Sequence, residues 1–465
     1  MSSLFGTMSV ALRSLLAQQG AMGVTANNIA NANTPGYSRE VAILEESPPT
    51  LMGNTMVGTG VTMEKVESVR DNILNLRIDQ ETSQQSSLGS YLTSMDQVQA
   101  LFNETQGAGL QTDLSAFFNS FQSLSTDPTS SSLRQATITA GQNLAGAFSQ
   151  TSQNLATIQQ GLDQSVVQTV DQVNQLTAQV ADLNQQIQTV SNAGQNPGSL
   201  EDQRDQVLKT LSGLIDTAVV YSDDGTATVT TTNGTLLACG NQSDALTTQL
   251  DTATGMHQVL AQGTDITSTI AGGQLQGFIN ARDEGIPSAQ TSLDNLAAGL
   301  ISAVNQQQST GYDMTGAKGA DFFTPFTPSV AGSNAGAAAT MAVAITDTDQ
   351  IAASSDGTQG DNGNATALAG LQDKAIVSGQ TAGSFYSNLI DQVGNTVSNS
   401  TSEQEAIGLV LQQLTNQQSA VSGVSLDEEA TNLISYQRAY EAAARVISTV
   451  DELVSTTINM FTPSS

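Results

Sequence analysis

The sequence predicts an α+β fold, mainly α, with paired terminal coiled-coil helices, a long central helical bundle and inserted small antiparallel β-domains. Three observations carry that prediction. Apolar side chains recur every three or four residues at both ends of the chain, and the same rhythm runs through residues 133–190. Between residues 217 and 270 the pattern changes to short β-branched runs separated by Asp224-Gly225 and Asn233-Gly234, dipeptides that favour tight hairpin turns.

The first helix spans residues 1–30. Its seam is Met1, Phe5, Met8, Leu12, Leu15, Met22, Ala26 and Ile29, with Gln19 as the polar interruption. Asn31, Asn33, Pro35 and Gly36 then stop it. Helices follow at 73–104 and 110–123. The long helix 133–190 has a seam of Leu144, Phe148, Leu155, Ile158 and Leu162, then after a phase shift Val173, Leu176, Val180, Leu183, Ile187 and Val190. A break at 194–198 precedes a helix at 199–214. After the β-rich stretch, helix returns at 274–308, short strands are expected within the Gly, Pro and Ala-rich segment 311–366, and helix resumes over 367–421. A capping box of Ser425 and Glu428 opens the last helix, whose seam is Leu433, Tyr436, Tyr440, Ala443, Ile447, Val450 and Val454.

These elements divide the chain into four regions. Residues 1–45 with 424–465 form a terminal coiled-coil assembly domain, and 46–216 with 274–310 and 367–423 form a helical rod domain. Residues 217–273 form an inserted β-domain, and 311–366 form a Gly/Ala-rich outer segment joined to the β region. Each terminal helix is about 30 residues, roughly 45 Å, so the two match in length. Residues 1–39 carry +2 and residues 426–465 carry −4, which favours their pairing. Alone, neither helix buries its stripe, so isolated termini are expected to be mobile.

Composition excludes several functions. The formal net charge of −30 opposes contact with a phosphate backbone, so no nucleic-acid partner is expected. Residues 40–425 hold −28 of that charge, which keeps the middle of the chain solvated. No run of 18 apolar residues occurs, so no membrane partner is expected, and the N-terminus lacks the layout of a cleaved secretory signal. Cys239 is the single cysteine and excludes an internal disulfide. It falls in a predicted strand, where burial as a small hydrophobe is expected over a catalytic dyad with His257, the single histidine. Asp356 and Asp361 lack the spacing of a calcium loop, and Gly58 and Gly60 lack a third glycine and a lysine for phosphate. No catalytic residue, metal or cofactor is expected.

Periodicity leaves open whether the terminal seams pack between molecules or form a helical hairpin within one. ANNIANANTPGYSR, residues 26–39, resembles the signature of the bacterial flagellar axial proteins of the rod, hook and hook-filament junction. VSLDEEATNLISYQRAYEAAARVISTVDEL, residues 424–453, resembles the C-terminal helix of the same family, with Glu429, Asn432, Tyr436, Gln437, Tyr440 and Ala443 at its characteristic places. DQVNQLTAQVADLNQQI, SLEDQRDQVLKTLSGLI and VVYSDDGTATVTTTNGTLL are similar to the hook-filament junction branch of that family.

The resemblance implies a non-enzymatic subunit that packs with copies of itself in a helical assembly. Its neighbours would be the flagellar hook protein and a second hook-filament junction protein. Met8, Leu12, Leu15, Met22, Ile29, Leu433, Tyr436, Gln437, Tyr440, Ala443, Ile447, Val450 and Val454 would form its assembly interface. Asn28, Asn31, Asn33, Thr34, Pro35, Gly36 and Tyr37 would belong to the same interface and, with Asn27, form the turn leaving the inner helix. It further implies an extracellular flagellar location, reached by type III export of an unfolded chain without a cleaved signal and with a chaperone on the C-terminal helix. The competing readings are a hook or distal rod protein, whose middle is generally strand-rich, and a secreted acidic adhesin or enzyme.

Overall fold

The computed structural model describes residues 2–52, 55–102 and 109–461. Met1 and residues 103–104, which the expected helices include, lie outside that set. The first element is α1, Ser2–Asn31, a segment with neither proline nor a run of β-branched residues. The chain then makes four strands, β1 (Glu40–Glu46), β2 (Thr50–Met52), β3 (Thr55–Val57) and β4 (Val61–Ser68). β1 pairs antiparallel with β4, with a register shift between Ile43 and Leu44, and β2 pairs with β3. The sequence reading assigned no element to this hairpin and ran the helical rod from residue 46. Its signals were local, in the β-branched Val61, Thr62 and Val66 and in Pro48-Pro49, which stops β1 before it can continue.

The rod is built from α2 (Asn72–Leu101), α3 (Leu110–Leu124), α4 (Ser131–Asn192) and α5 (Gly198–Leu214). Its return limb is α6 (Gly273–Asn280), α7 (Ile286–Thr310), α8 (Gly363–Ala369) and α9 (Ala382–Ser422). Asp71 starts α2 by accepting from the backbone N–H groups of Ile73 and Leu74, both at 3.0 Å, and Thr381 starts α9 by accepting from Ser384 N. At 62 residues, α4 extends about 93 Å and forms the spine. A π-helical turn, Ala281–Gly285, separates α6 from α7, where the sequence suggested one helix.

One core joins α3, the first half of α4, α7 and the outer segment. Phe117, Phe121, Phe322 and Phe323 meet with ring centroids 5.0–5.6 Å apart. Residues 311–366 form isolated bridges, such as Tyr312 with Ser354 and Phe323 with Val343, in place of the expected strands. Arg134 of α4 secures this segment, donating to Thr348 O at 3.0 Å and Ile351 O at 2.8 Å. The second core packs Val166, Val170, Val173 and Val180 of α4 against α5 and the β-domain.

The β-domain contains β5 (Ala218–Tyr221), β6 (Ala227–Thr230), β7 (Leu236–Cys239) and β8 (Gln242–Ser243) in one antiparallel sheet. A second sheet holds β9 (Leu246–Leu250), β10 (His257–Ala261) and β11 (Thr264–Asp265). Two asparagines of α4 stand in for missing strand neighbours. Asn184 donates to Ala227 O at 2.7 Å and accepts from Ala227 N at 2.9 Å, and Asn174 does the same with Leu246, both at 2.8 Å. Cys239, expected to be buried, ends β7 exposed, where its Sγ accepts from the Thr228 hydroxyl at 3.7 Å. The last helix is α10, Leu426–Phe461. Among the described residues, no helix is long and apolar enough to cross a membrane.

Where α2 meets α5, Asp79 is buried and, among the described residues, its carboxyl has no hydrogen-bond partner. Burial pushes its pKa up to about 7, with Asp205 raising it further and Lys209 opposing. A carboxyl whose folded pKa lies above its unfolded value stabilises the fold below the unfolded pKa. That contribution is lost as pH rises from about 4 to about 7. Asp79→Asn is therefore expected to gain about 4 kcal/mol at pH 8 and nothing at pH 4. Urea unfolding of both proteins at the two pH values checks this, and an equal difference at both sinks it.

Candidate assembly interface

α1 and α10 lie side by side and antiparallel, because the chain just after α1 is tied to the start of α10. Arg39 N donates to Ser422 O at 2.9 Å, and the Arg39 guanidinium contacts Glu428 at 2.9 Å and Glu429 at 3.0 Å. On α10 the side chains Leu433, Tyr436, Tyr440, Ala443, Ile447, Val450 and Val454 are buried or half-buried, and Gln437 is exposed on the other side. α1 also carries the β1–β4 hairpin, so it is covered on two sides. Gly60, at φ +99°, brings the hairpin within 3.2 Å of Val10 O, measured from where a side chain's first carbon would sit, and Met63 lies over Gly20.

That double cover selects small residues. Ala11, Ala17, Ala21, Thr25 and Asn28 are the buried positions of α1, with Met8, Leu15, Met22 and Ile29 half-buried beside them. Phe5, Leu12 and Leu16 point outward, at 56%, 50% and 58% exposure. Successive helical residues turn by about 100°, which places these three on one stripe with Ala26. α10 likewise leaves Ile434, Val446 and Leu453 exposed. The stripe of α1, with Val446 and Leu453 on one side of α10, is a candidate surface for protein contact.

The turn after α1 is specified atom by atom. Thr34 O accepts from Tyr37 N at 3.2 Å across Pro35 and Gly36, and Gly36 has φ +80°, the geometry of a type II turn. Thr34 N donates to Asn31 O at 2.9 Å, and its hydroxyl donates to Asn31 Oδ1 at 3.1 Å. Asn31 in turn donates to Asn27 O at 3.0 Å. Asn28 is buried and pairs with the backbone of Glu40, donating to its O at 2.8 Å and accepting from its N at 2.9 Å, so the helix end is stitched to β1. Tyr37 OH donates to Asn28 Oδ1 at 2.8 Å. Burial, with Glu40, Asp202 and Glu429 nearby, pushes the Tyr37 hydroxyl up to about 12, so it remains a donor. Asn33 is exposed.

The remaining chemistry-bearing groups serve the fold. His257 Nδ1 lies 2.6 Å from Asp163 Oδ2, away from any pairing with Cys239. Asp361 accepts from the backbone and hydroxyl of Ser355, and Asp356 accepts from Thr358 N at 2.8 Å, so both fasten their own loop. The sequence reading did not single out Arg70, Asp202 or the pairing of Arg39. The available signal was that Arg39 and Arg70 flank the hairpin.

Residues 95–323 match the model of the flagellar hook-associated protein FlgK helical domain. Residues 417–460 match the flagellar basal body rod FlgEFG protein C-terminal model, and residues 8–37 match that of the flagella basal body rod protein. Flagellar hook-associated protein 1 of Bacillus subtilis (strain 168) is 33% identical over 99% of this chain and 99% of its own. The protein of that name in Escherichia coli (strain K12) is 27% identical over 99% of this chain and 100% of its own. The structure of the flagellar hook junction protein FlgK from Burkholderia pseudomallei shares the fold, with a TM-score of 0.66 at 19% identity, covering 75% of this chain and 100% of that one.

Proposed function

Because the chain belongs to the flagellar hook-associated protein 1 family, and so is a structural protein of the hook-filament junction, we propose that it polymerises there through its terminal helical pair. The observation that carries the mode of assembly is the outward stripe of Phe5, Leu12 and Leu16 on a helix whose inner side is already covered twice. A helix that needed only to complete a monomer would leave that stripe polar. On this reading the stripes of α1 and α10 pack against neighbouring copies to line the inner tube, while the rod and the β-domain project outward.

The hook protein would hold one side of the junction and a second junction protein the other. Their support is the axial-protein character of both ends of the chain, which match rod-protein models over residues 8–37 and 417–460. Export as an unfolded chain without a cleaved signal, with a chaperone on α10, suits termini that have no core in common with the rod. The experiment is immunogold electron microscopy of purified hook-basal bodies with filaments attached, using antibody to residues 217–273. Gold confined to the distal end of the hook is expected; gold along the hook or rod, or none, overturns the reading.

A further inference from the structure

The terminal body of α1, α10 and the four strands packs on itself and, among the described residues, makes no extensive contact with a helix of the rod. None of the described hydrophobic clusters spans the two parts. Two backbone crossings connect them, near residues 69 and 423, and polar bridges fix their relative placement. Arg70 donates to Gly198 O at 2.5 Å and to Asp202 Oδ1 at 2.8 Å, and lies 3.2 Å from Glu201 and 3.5 Å from Asp205. Asp202 also accepts from Ser38 N at 3.1 Å, and Asn196 donates to Glu40 Oε1 at 2.9 Å. Within the terminal body, Arg39 ties the start of the hairpin to α10 through Glu428 and Glu429.

Two clefts flank this joint. One of about 750 Å³ lies between the 31–37 turn and the faces of α4 and α5, and another of about 430 Å³ lies between β4 and the α4–α5 connection. Buried polar atoms at the joint lack partners: Ser68 Oγ, Arg70 Nε and Arg204 Nε border the smaller cleft. A contact held by dry packing would resist tilting in every direction. A polar contact with open space on two sides resists only as strongly as its ion pairs.

We propose that Glu40 and Arg70 form a two-point latch that sets the tilt of the terminal helical pair on the rod, and that releasing it lets the pair pivot into the flanking clefts. Taken with assembly through the terminal pair, on which this meaning rests, the latch lets one chain meet neighbours on its two sides at different tilts. The latch itself is a property of the single chain and does not depend on where the chain assembles.

The test is pulsed electron-electron double resonance on the full chain in a Cys239→Ser background, with spin labels at Gln185→Cys on α4 and Ser435→Cys on α10. The latched chain is expected to give one narrow distance distribution in low salt. Arg70→Gln and Glu40→Ala should each widen it, and together at least double its width. Sodium chloride at about 1 M should widen the native distribution towards that of the double variant and leave the double variant unchanged. Glu40→Ala removes the bridge to Asn196 and leaves α5 untouched, so it keeps the test informative if Arg70→Gln disturbs α5. A narrow distribution in the double variant, or a native distribution already as wide as the variant's, overturns the latch. Neither result bears on the gold label at the hook, so the two readings fail separately.

Discussion

Leu12→Asp is expected to abolish junction assembly while leaving the purified chain folded. Leu12 is 50% exposed in the single chain, so the substitution removes little buried surface and costs under about 1 kcal/mol of stability, mostly helix propensity. On the proposed packing the same position meets a neighbour, where burying an unpaired carboxylate would cost several kcal/mol at every subunit contact. The measurements are thermal unfolding of the purified variant and swimming in soft agar of cells that carry it as their only copy. An unchanged unfolding transition with loss of swimming and of filaments is expected. Normal swimming would show that the stripe is not an assembly surface, and loss of cooperative unfolding would show that it is part of the monomer's core. Tyr440→Asp behaves differently, because Tyr440 is half-buried on the side of α10 that faces α1. It should abolish assembly and also open the helical pair in the single chain, while the rod stays folded.

The difference between Leu12 and Tyr440 shows what was legible in the sequence. The three-four rhythm of α10 was read from Leu433 to Val454, and the structure turns those side chains inward. In α1 the same method chose the large apolar residues and included Phe5 and Leu12, which face outward. The buried positions there are Ala11, Ala17, Ala21, Thr25 and Asn28, because a helix pressed between another helix and a hairpin can bury only small side chains. Hydropathy ranks size and apolarity together, so it separates an inward from an outward stripe poorly when close approach sets the packing. The signature turn was legible as a stop signal, whereas the pairing of Asn28 with the backbone of Glu40 needed the strand that the sequence reading passed over. The joint was invisible for another reason: Arg70 and Asp202 are 132 residues apart, and no local spacing reports such a pair.

The same holds for the contact that fastens the β-domain to the rod, where Arg282→Ala is expected to be the most destabilising polar substitution in the chain. The π-helical turn aims Arg282 into a site where it is 2% exposed. One nitrogen, Nη1, donates to Asp163 Oδ1 at 2.7 Å and to His257 O at 2.8 Å, and the other two grip Asp283 at 2.7 and 2.8 Å. Asp163 accepts in addition from His257 N at 2.7 Å. Burial works against the Asp163 charge, but the hydrogen bonds from His257 and the charges of His257 and Arg282 hold its pKa below the usual value. Removing the guanidinium therefore takes one of two countercharges from a buried carboxylate, a change that costs about 3–5 kcal/mol where one partner of a buried pair is deleted. Asp163→Asn removes the stranded charge, so the double variant is expected to regain at least about 1 kcal/mol over Arg282→Ala alone. Urea unfolding of the four proteins closes the cycle, and hydrogen exchange locates the effect. Protection should fall first in residues 257–265, while residues 114–124, packed in the aromatic core, keep theirs. Purely additive single effects would show that Arg282 stabilises through Asp283 and His257 rather than through Asp163.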